Sequence, residues 1–141
     1  MNDSTKSDLT VAGVALRFGI VALTLGTAYI HSTLGGLLFT MNAVGYTVAA
    51  VAMIVPLALA IRFRWFVRLG LIGYALASIV GWAIMGPRYD VAYIAKAIEV
   101  SLIFLLAIDF LRADGNPVNV VRREIALGLS KVSSIRSASP A

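Results

Sequence analysis

The chain has 141 residues, 60% of them hydrophobic and 13% charged, with a mean hydropathy of +0.89; soluble domains average about 45–50% apolar and about 25% charged. Twelve Lys and Arg against seven Asp and Glu give a net charge of +5, which in so apolar a chain reads as a match to the anionic cytoplasmic leaflet of a bilayer and not to nucleic acid. The absence of cysteine excludes disulfides, thiolate catalysis, thiolate-held zinc and iron–sulfur clusters within the chain, and a single histidine builds no histidine-based metal site alone; no cofactor is implied.

Residues 1–10 read as a polar tail, followed by four apolar stretches at about 11–30, 34–61, 66–85 and 91–111. Each reaches the roughly 20 residues that cross a hydrocarbon core, and none shows the polar face of a soluble bundle helix. The first has a basic residue ahead of an apolar run, as a signal peptide would. Gly26-Thr27-Ala28-Tyr29-Ile30-His31-Ser32 offers no clean small-x-small cleavage site, so it reads as a retained helix. The second is longer than one crossing needs and is expected to bend at Pro56.

The distribution of Lys and Arg orients the chain. Arg62, Arg64 and Arg68 lie between the second and third stretches, and Arg112, Arg122, Arg123, Lys131 and Arg136 follow the fourth. Lys6 and Arg17 belong to the N-terminal side, whereas the opposite side offers only Arg88, next to Asp90. Four crossings reconcile these positions when both termini are cytoplasmic, as in a multi-pass protein of the cell (inner) membrane. Arg62, Arg64, Arg68, Arg122, Arg123 and Lys131 are then expected at the basic membrane surface. The fold expected is an all-α integral membrane protein, an antiparallel four-helix bundle.

The C-terminal tail, 112–141, carries a further helix at about 117–132. Asn116-Pro117 supplies an N-cap and a proline at the first helical position. Val118, Val121, Ile125, Leu129 and Val132 then recur at three- and four-residue steps, an amphipathic pattern suited either to the cytoplasmic membrane surface or to a partner. Residues 133–141 read as disordered.

Lys96 and Glu99 carry the strongest functional signal. Each charge in a bilayer core costs about 2.5–3.5 kcal/mol on insertion scales, and a spacing of three puts both on one helix face. The pair is either an ion or proton site or a neutralised structural pair. At about 1.5 Å per residue, Thr24, Asn42 and Ser78 fall near the depth of Glu99, so a polar layer of Thr24, Asn42, Ser78, Lys96 and Glu99 is expected, with Asn42 donating to Glu99 and Ser78 the next donor. Arg17 and Asp109 are a candidate ion pair near the inner ends of helices one and four. His31, Arg88, Tyr89, Asp90 and Tyr93 form a candidate outer rim. Gly73, Ala77 and Gly81 in helix three, and Gly45 and Ala49 in helix two, suggest close helix contacts.

No nucleophile, zinc-binding or dinucleotide-binding motif occurs. The expected function is a small non-catalytic membrane subunit or scaffold contacting lipid and other membrane subunits or its own copies. The alternative is a homo-oligomeric carrier or channel for protons or a small solute, working through Lys96 and Glu99. The topology is testable in this cysteine-free chain. Phe63→Cys should react with an impermeant maleimide from the cytoplasmic face and Arg88→Cys from the other; labelling of position 63 only from outside reverses the assignment.

Overall fold

The computed structural model describes residues 10–56 and 58–137, with side chains except at 59 and 131–137. Most of the expected N-terminal tail, residues 138–141 and the side chain of Lys131 therefore lie outside the described residues. What is described is all-helical: α1 (Val11–Thr33), α2 (Leu37–Ile54), α3 (Ala58–Arg62), α4 (Arg64–Met85), α5 (Asp90–Ala113) and α6 (Pro117–Ser137). Four of these, α1, α2, α4 and α5, are long and apolar enough to cross a membrane. Large apolar side chains cover their outer surfaces, among them Phe18, Leu37, Ile84 and Phe104. So extensive an apolar exterior suits hydrocarbon and not water.

Local chemistry sets the helix ends. Thr10 caps α1, its hydroxyl accepting from the Gly13 N–H at 3.1 Å. The chain reverses over residues 34–36, where Gly35 and Gly36 have φ of 71° and 83°, a region that side chains with a Cβ rarely enter. Helix one thus ends later, and helix two begins later, than the hydropathy suggests. The single bent helix expected over 34–61 is interrupted instead: α2 stops at Ile54, Val55 is extended with φ −62° and ψ 125°, and α3 follows. Pro56 accounts for the break, since its ring disfavours helical geometry at the preceding residue and it has no N–H to donate. Gly115, with φ 81°, closes α5, its N–H reaching the Phe110 carbonyl at 3.2 Å. The Asn116 side chain accepts from the Val118 N–H at 2.9 Å. From there α6 runs to Ser137, through residues 133–137 that composition reads as disordered, with no glycine or proline between Gly128 and Pro140 to stop it.

The spanning helices form a ring in the order α1, α2, α4, α5, each packed on its neighbours, with α2 and α4 meeting over the shortest length. Cross-contacts fix their directions. Near one end, Thr27 of α1, Tyr46 of α2 and Ser78 of α4 all meet Glu99 of α5. Toward the other, Arg112 of α5 donates to Thr10 at 3.4 Å, and Arg68 of α4 meets Asp109 of α5. Successive spans therefore run antiparallel. The turns at 34–36 and 86–89 mark one end of the bundle, the loop end, and Thr10, Phe63 and Asp114 mark the other, the terminal end.

The terminal half is the closely packed one. Ile20, Met53, Leu71, Leu102 and Leu106 fill it, and Leu105 lies so near Gly19 that a Cβ there would come within 3.2 Å of Leu105 Cδ1. Arg68 joins this core: only 2% of it is exposed. Its Nε donates to Oδ2 of Asp109 at 2.6 Å and its Nη1 to Oδ2 of Asp114 at 2.8 Å. This corrects two expectations. Arg68 is not a surface residue, because it shares the inward face of α4 with Leu71 and Ala75, three and seven residues on. Asp109 takes its ion pair from Arg68 rather than Arg17, which lies half-buried on α1. Arg62, by contrast, is exposed, with its guanidinium 5.8 Å from the Phe63 ring, and Arg122 and Arg123 are exposed on α6.

Removing one partner of a buried ion pair costs about 3–5 kcal/mol, because the other charge is stranded. Arg68→Met should therefore lower stability by about that amount, read as a fall in the thermal unfolding midpoint in detergent. Arg62→Met should stay within about 0.5 kcal/mol. Equal effects of the two would show that Arg68 does not hold α4 to α5.

Candidate functional site

Glu99 is fully enclosed, with 0% of its surface accessible, and each spanning helix presents a donor to it. Oε1 accepts from Thr27 Oγ1 of α1 at 3.4 Å, from Tyr46 Oη of α2 at 3.2 Å and from Ser78 Oγ of α4 at 2.9 Å. Oε2 accepts from Lys96 Nζ of α5, one turn away, at 2.6 Å. Lys96 also donates to Ser78 Oγ at 2.7 Å, so the serine hydroxyl gives its hydrogen to Glu99 while accepting one from Lys96. A carboxylate is an acceptor-only group, and here its lone pairs meet hydroxyl and ammonium hydrogens.

Aromatic and imidazole rings frame this centre. His31 is buried, with Nδ1 2.8 Å from the Thr27 carbonyl and Nε2 3.8 Å from Glu99 Oε1. A carbonyl only accepts, so Nδ1 carries the hydrogen in that contact and Nε2 is the nitrogen turned to Glu99. The His31 ring lies 5.7 Å from that of Tyr46, and Tyr46 meets Tyr74 edge-on at 4.9 Å. Tyr74 donates to Asn42 Oδ1 at 2.5 Å. Tyr74 also lies where a side chain at position 45 would be: a Cβ on Gly45 would come within 2.9 Å of its hydroxyl. Glycine is what lets α2 and α4 meet there.

Of the five residues expected in the polar layer, the structure brings Ser78, Lys96 and Glu99 together and gives Thr24 and Asn42 other partners. Thr24 is buried but donates to the Ile20 carbonyl of its own helix at 2.7 Å; Thr27, one turn on, reaches Glu99. Asn42 accepts from Tyr74 instead of donating to Glu99, and Tyr46, one turn on, is the donor from α2. Both shifts have one cause: the 34–36 turn extends α1 to Thr33 and delays α2 to Leu37, so each helix slides about one turn against α4 and α5. Ser78, Lys96 and Glu99 lie on helices whose loop-side ends fall close to where the sequence puts them.

His31 leaves the expected outer rim for the interior, because the last turn of α1 carries it above Thr27 on the inward face. The remaining rim residues are exposed. Arg88 stacks 4.3 Å from the Trp82 ring and donates to the Ala83 carbonyl at 2.8 Å. Tyr93 meets Trp82 edge-on at 5.1 Å, and Asp90 opens the first turn of α5. The small-residue stripe of α4 does not produce a close contact. Added Cβ atoms at Gly73 and Gly81 would meet nothing within 4 Å, while Ala77 and Gly81 border open space.

That space is a cavity of about 380 Å³. Leu34, Leu38 and Phe39 line it on one side, Trp82, Met85 and Tyr89 on another, and Asn42, Tyr74, Ser78 and Lys96 lie deepest. Glu99 is beyond its floor. Among the described residues, no group of three or more His, Cys, Asp or Glu side chains is arranged to hold a metal ion. Comparison with known protein families, with curated proteins and with solved structures found no match.

The charged pair makes a testable demand. Glu99→Leu strands the Lys96 ammonium and should cost about 3–5 kcal/mol, whereas adding Lys96→Met removes both charges and should recover most of the loss. Tyr46→Phe, which withdraws one donor from Glu99, should cost about 1–3 kcal/mol, and Thr24→Val should cost less than Tyr46→Phe. Thermal unfolding of the purified variants reads all four. A double variant no more stable than Glu99→Leu would dissolve the pair as an energetic unit.

Proposed function

We propose that the protein is a small-solute carrier of the membrane, taking its solute into a blind cavity at the loop end against the Lys96–Glu99 pair. The observation that supports this reading is the depth of the cavity: its floor is Lys96, Ser78 and Asn42, the accessible side of the charged network. A scaffold whose charged pair only fixed helix packing would gain nothing from a cavity leading to it. The tightly packed terminal half, with Arg68 clamped between Asp109 and Asp114, is the closed side of such a carrier. Four spans make a small carrier, since transporter folds commonly combine two repeats, so a homo-oligomer is the working form in this reading.

The finer topology belongs to the same proposal. With the terminal end cytoplasmic, Arg62, Arg122 and Arg123 lie beside the anionic leaflet. The α6 residues Val118, Ile125 and Leu129 are exposed and share one face of that helix, which would rest on the headgroups as an interfacial helix. The alternative of an accessory subunit draws on that same face, which would equally suit a partner helix.

Access to the cavity separates carrier from scaffold. Ala95 lines the cavity yet is only 2% exposed, while Ala75 is buried at 0% and does not line it. In reconstituted protein, Ala95→Cys should react with methyl methanethiosulfonate, a small uncharged reagent that reaches the cavity from water or from lipid, and Ala75→Cys should not. Equal resistance of both positions would overturn the carrier reading and leave the scaffold.

A further inference from the structure

Resting on the carrier reading, we propose that the cavity binds an uncharged lipophilic molecule carrying one strong hydrogen-bond acceptor, such as a ketone, ester or amide carbonyl, with that acceptor directed at Asn42 and Lys96. Three observations carry this. The first is the surplus of donors at the floor. Asn42 uses its oxygen to accept from Tyr74, and its amide nitrogen donates to no described residue, leaving two hydrogens. Lys96 spends hydrogens on Glu99 and Ser78, and an ammonium has three. Glu99, the strong acceptor, lies behind this floor with its oxygens already engaged. A ligand head that accepts is therefore matched and one that only donates is not.

The second observation is charge. Lys96 and Glu99 neutralise each other at 2.6 Å, so the floor holds no unbalanced charge to repay the desolvation of an ionic ligand. A carboxylate would accept from the same donors but would lose far more hydration than a carbonyl. The third is the wall. Leu34, Leu38, Phe39, Met85 and Ala92 are apolar, and Leu38 and Met85 are largely exposed on the outer surface of the bundle. Below them α2 and α4 close on each other at Gly45 and Tyr74, and above that contact they part. The wedge thus faces the surroundings of the helices laterally, a route for a molecule already dissolved in lipid. Its volume falls near the lower end of the about 300–1,000 Å³ typical of small-molecule sites.

The test uses Trp82, which lines the cavity. Trp65→Phe leaves Trp82 as the sole tryptophan, and its emission is followed in nanodiscs while three probes of similar chain length are added: 2-undecanone, decanoate and decylamine. The ketone should give a saturable change at a concentration at least tenfold below that of either ion. Asn42→Leu should weaken the ketone by about tenfold, the scale of one hydrogen bond with a well-placed donor. Ala77→Phe, which fills the wedge without touching the donors, should abolish saturation. Circular dichroism and unfolding midpoints establish that both variants are folded. The proposal is overturned if no probe saturates, if decylamine or decanoate matches the ketone, or if folded Asn42→Leu binds the ketone as the parent does. Such a result alongside a reactive Ala95→Cys rejects the ligand class and keeps the carrier, whereas an unreactive Ala95→Cys rejects the carrier itself.

Discussion

The bundle is organised around one unmet need, a carboxylate in a region without water. A buried acidic group must find hydrogens within the protein, and Glu99 finds one on every spanning helix. Thr27, Tyr46, Ser78 and Lys96 are otherwise unrelated in sequence, and their convergence fixes the vertical register of all four spans at one level. Apolar packing alone tolerates sliding in a bilayer, because lipid is as apolar as the helix surface. A network in which each member has a stated partner does not. The fold and the candidate site thus share residues: Ser78 and Lys96, which help set the helices against each other, also line the cavity.

A second charged cluster works at the terminal end with the opposite surroundings. Arg68, Asp109 and Asp114 sit where close packing by Leu71, Leu102 and Leu106 leaves little free volume, whereas the Glu99 network sits beneath a cavity. The two clusters divide the bundle into a tight half and an open half, and α5 contributes acidic residues to both. Any motion that widened the terminal half would have to part α4 from α5 at Arg68, while the loop half is already parted between α2 and α4.

Much of this was readable from the residues. Spans came from hydropathy, because burial in lipid leaves no polar face to confuse the signal. Lys96 and Glu99 stood out because charge in hydrocarbon is costly. The partners were harder. Depth along a helix depends on where the helix ends, and the left-handed Gly35–Gly36 turn sets those ends about one turn from where hydropathy puts them, so Thr27 and Tyr46 stand where the sequence predicts Thr24 and Asn42. A signal for the right residues lies in the spacing: Thr27 with His31, Asn42 with Tyr46, and Tyr74 with Ser78 are each polar pairs four apart, a counterpart of Lys96 with Glu99 three apart. Arg68 departs from its expected surface position for a different reason. A positive residue near a helix end looks alike whether it faces headgroups or two aspartates more than 40 positions away, and only tertiary structure tells these apart.

The break at Pro56 bears on the membrane itself. α2 has 18 residues against 23, 22 and 24 in α1, α4 and α5, so at about 1.5 Å per residue it extends roughly 27 Å where its neighbours reach about 33–36 Å. A typical hydrocarbon core is about 30 Å thick. As one helix, α2 falls short of that span, but apolar sequence continues past Ile54 to Ile61, and α3 takes it up at Ala58. The α2 flank thus meets the hydrocarbon with two helical pieces joined at Val55–Pro56, where proline offers no N–H to hold the joint helical. Mismatch with the bilayer costs fractions of a kcal/mol for each ångström, and a bend at that joint would let this flank, the one bearing the cavity, follow a change in membrane thickness that its uninterrupted neighbours could not.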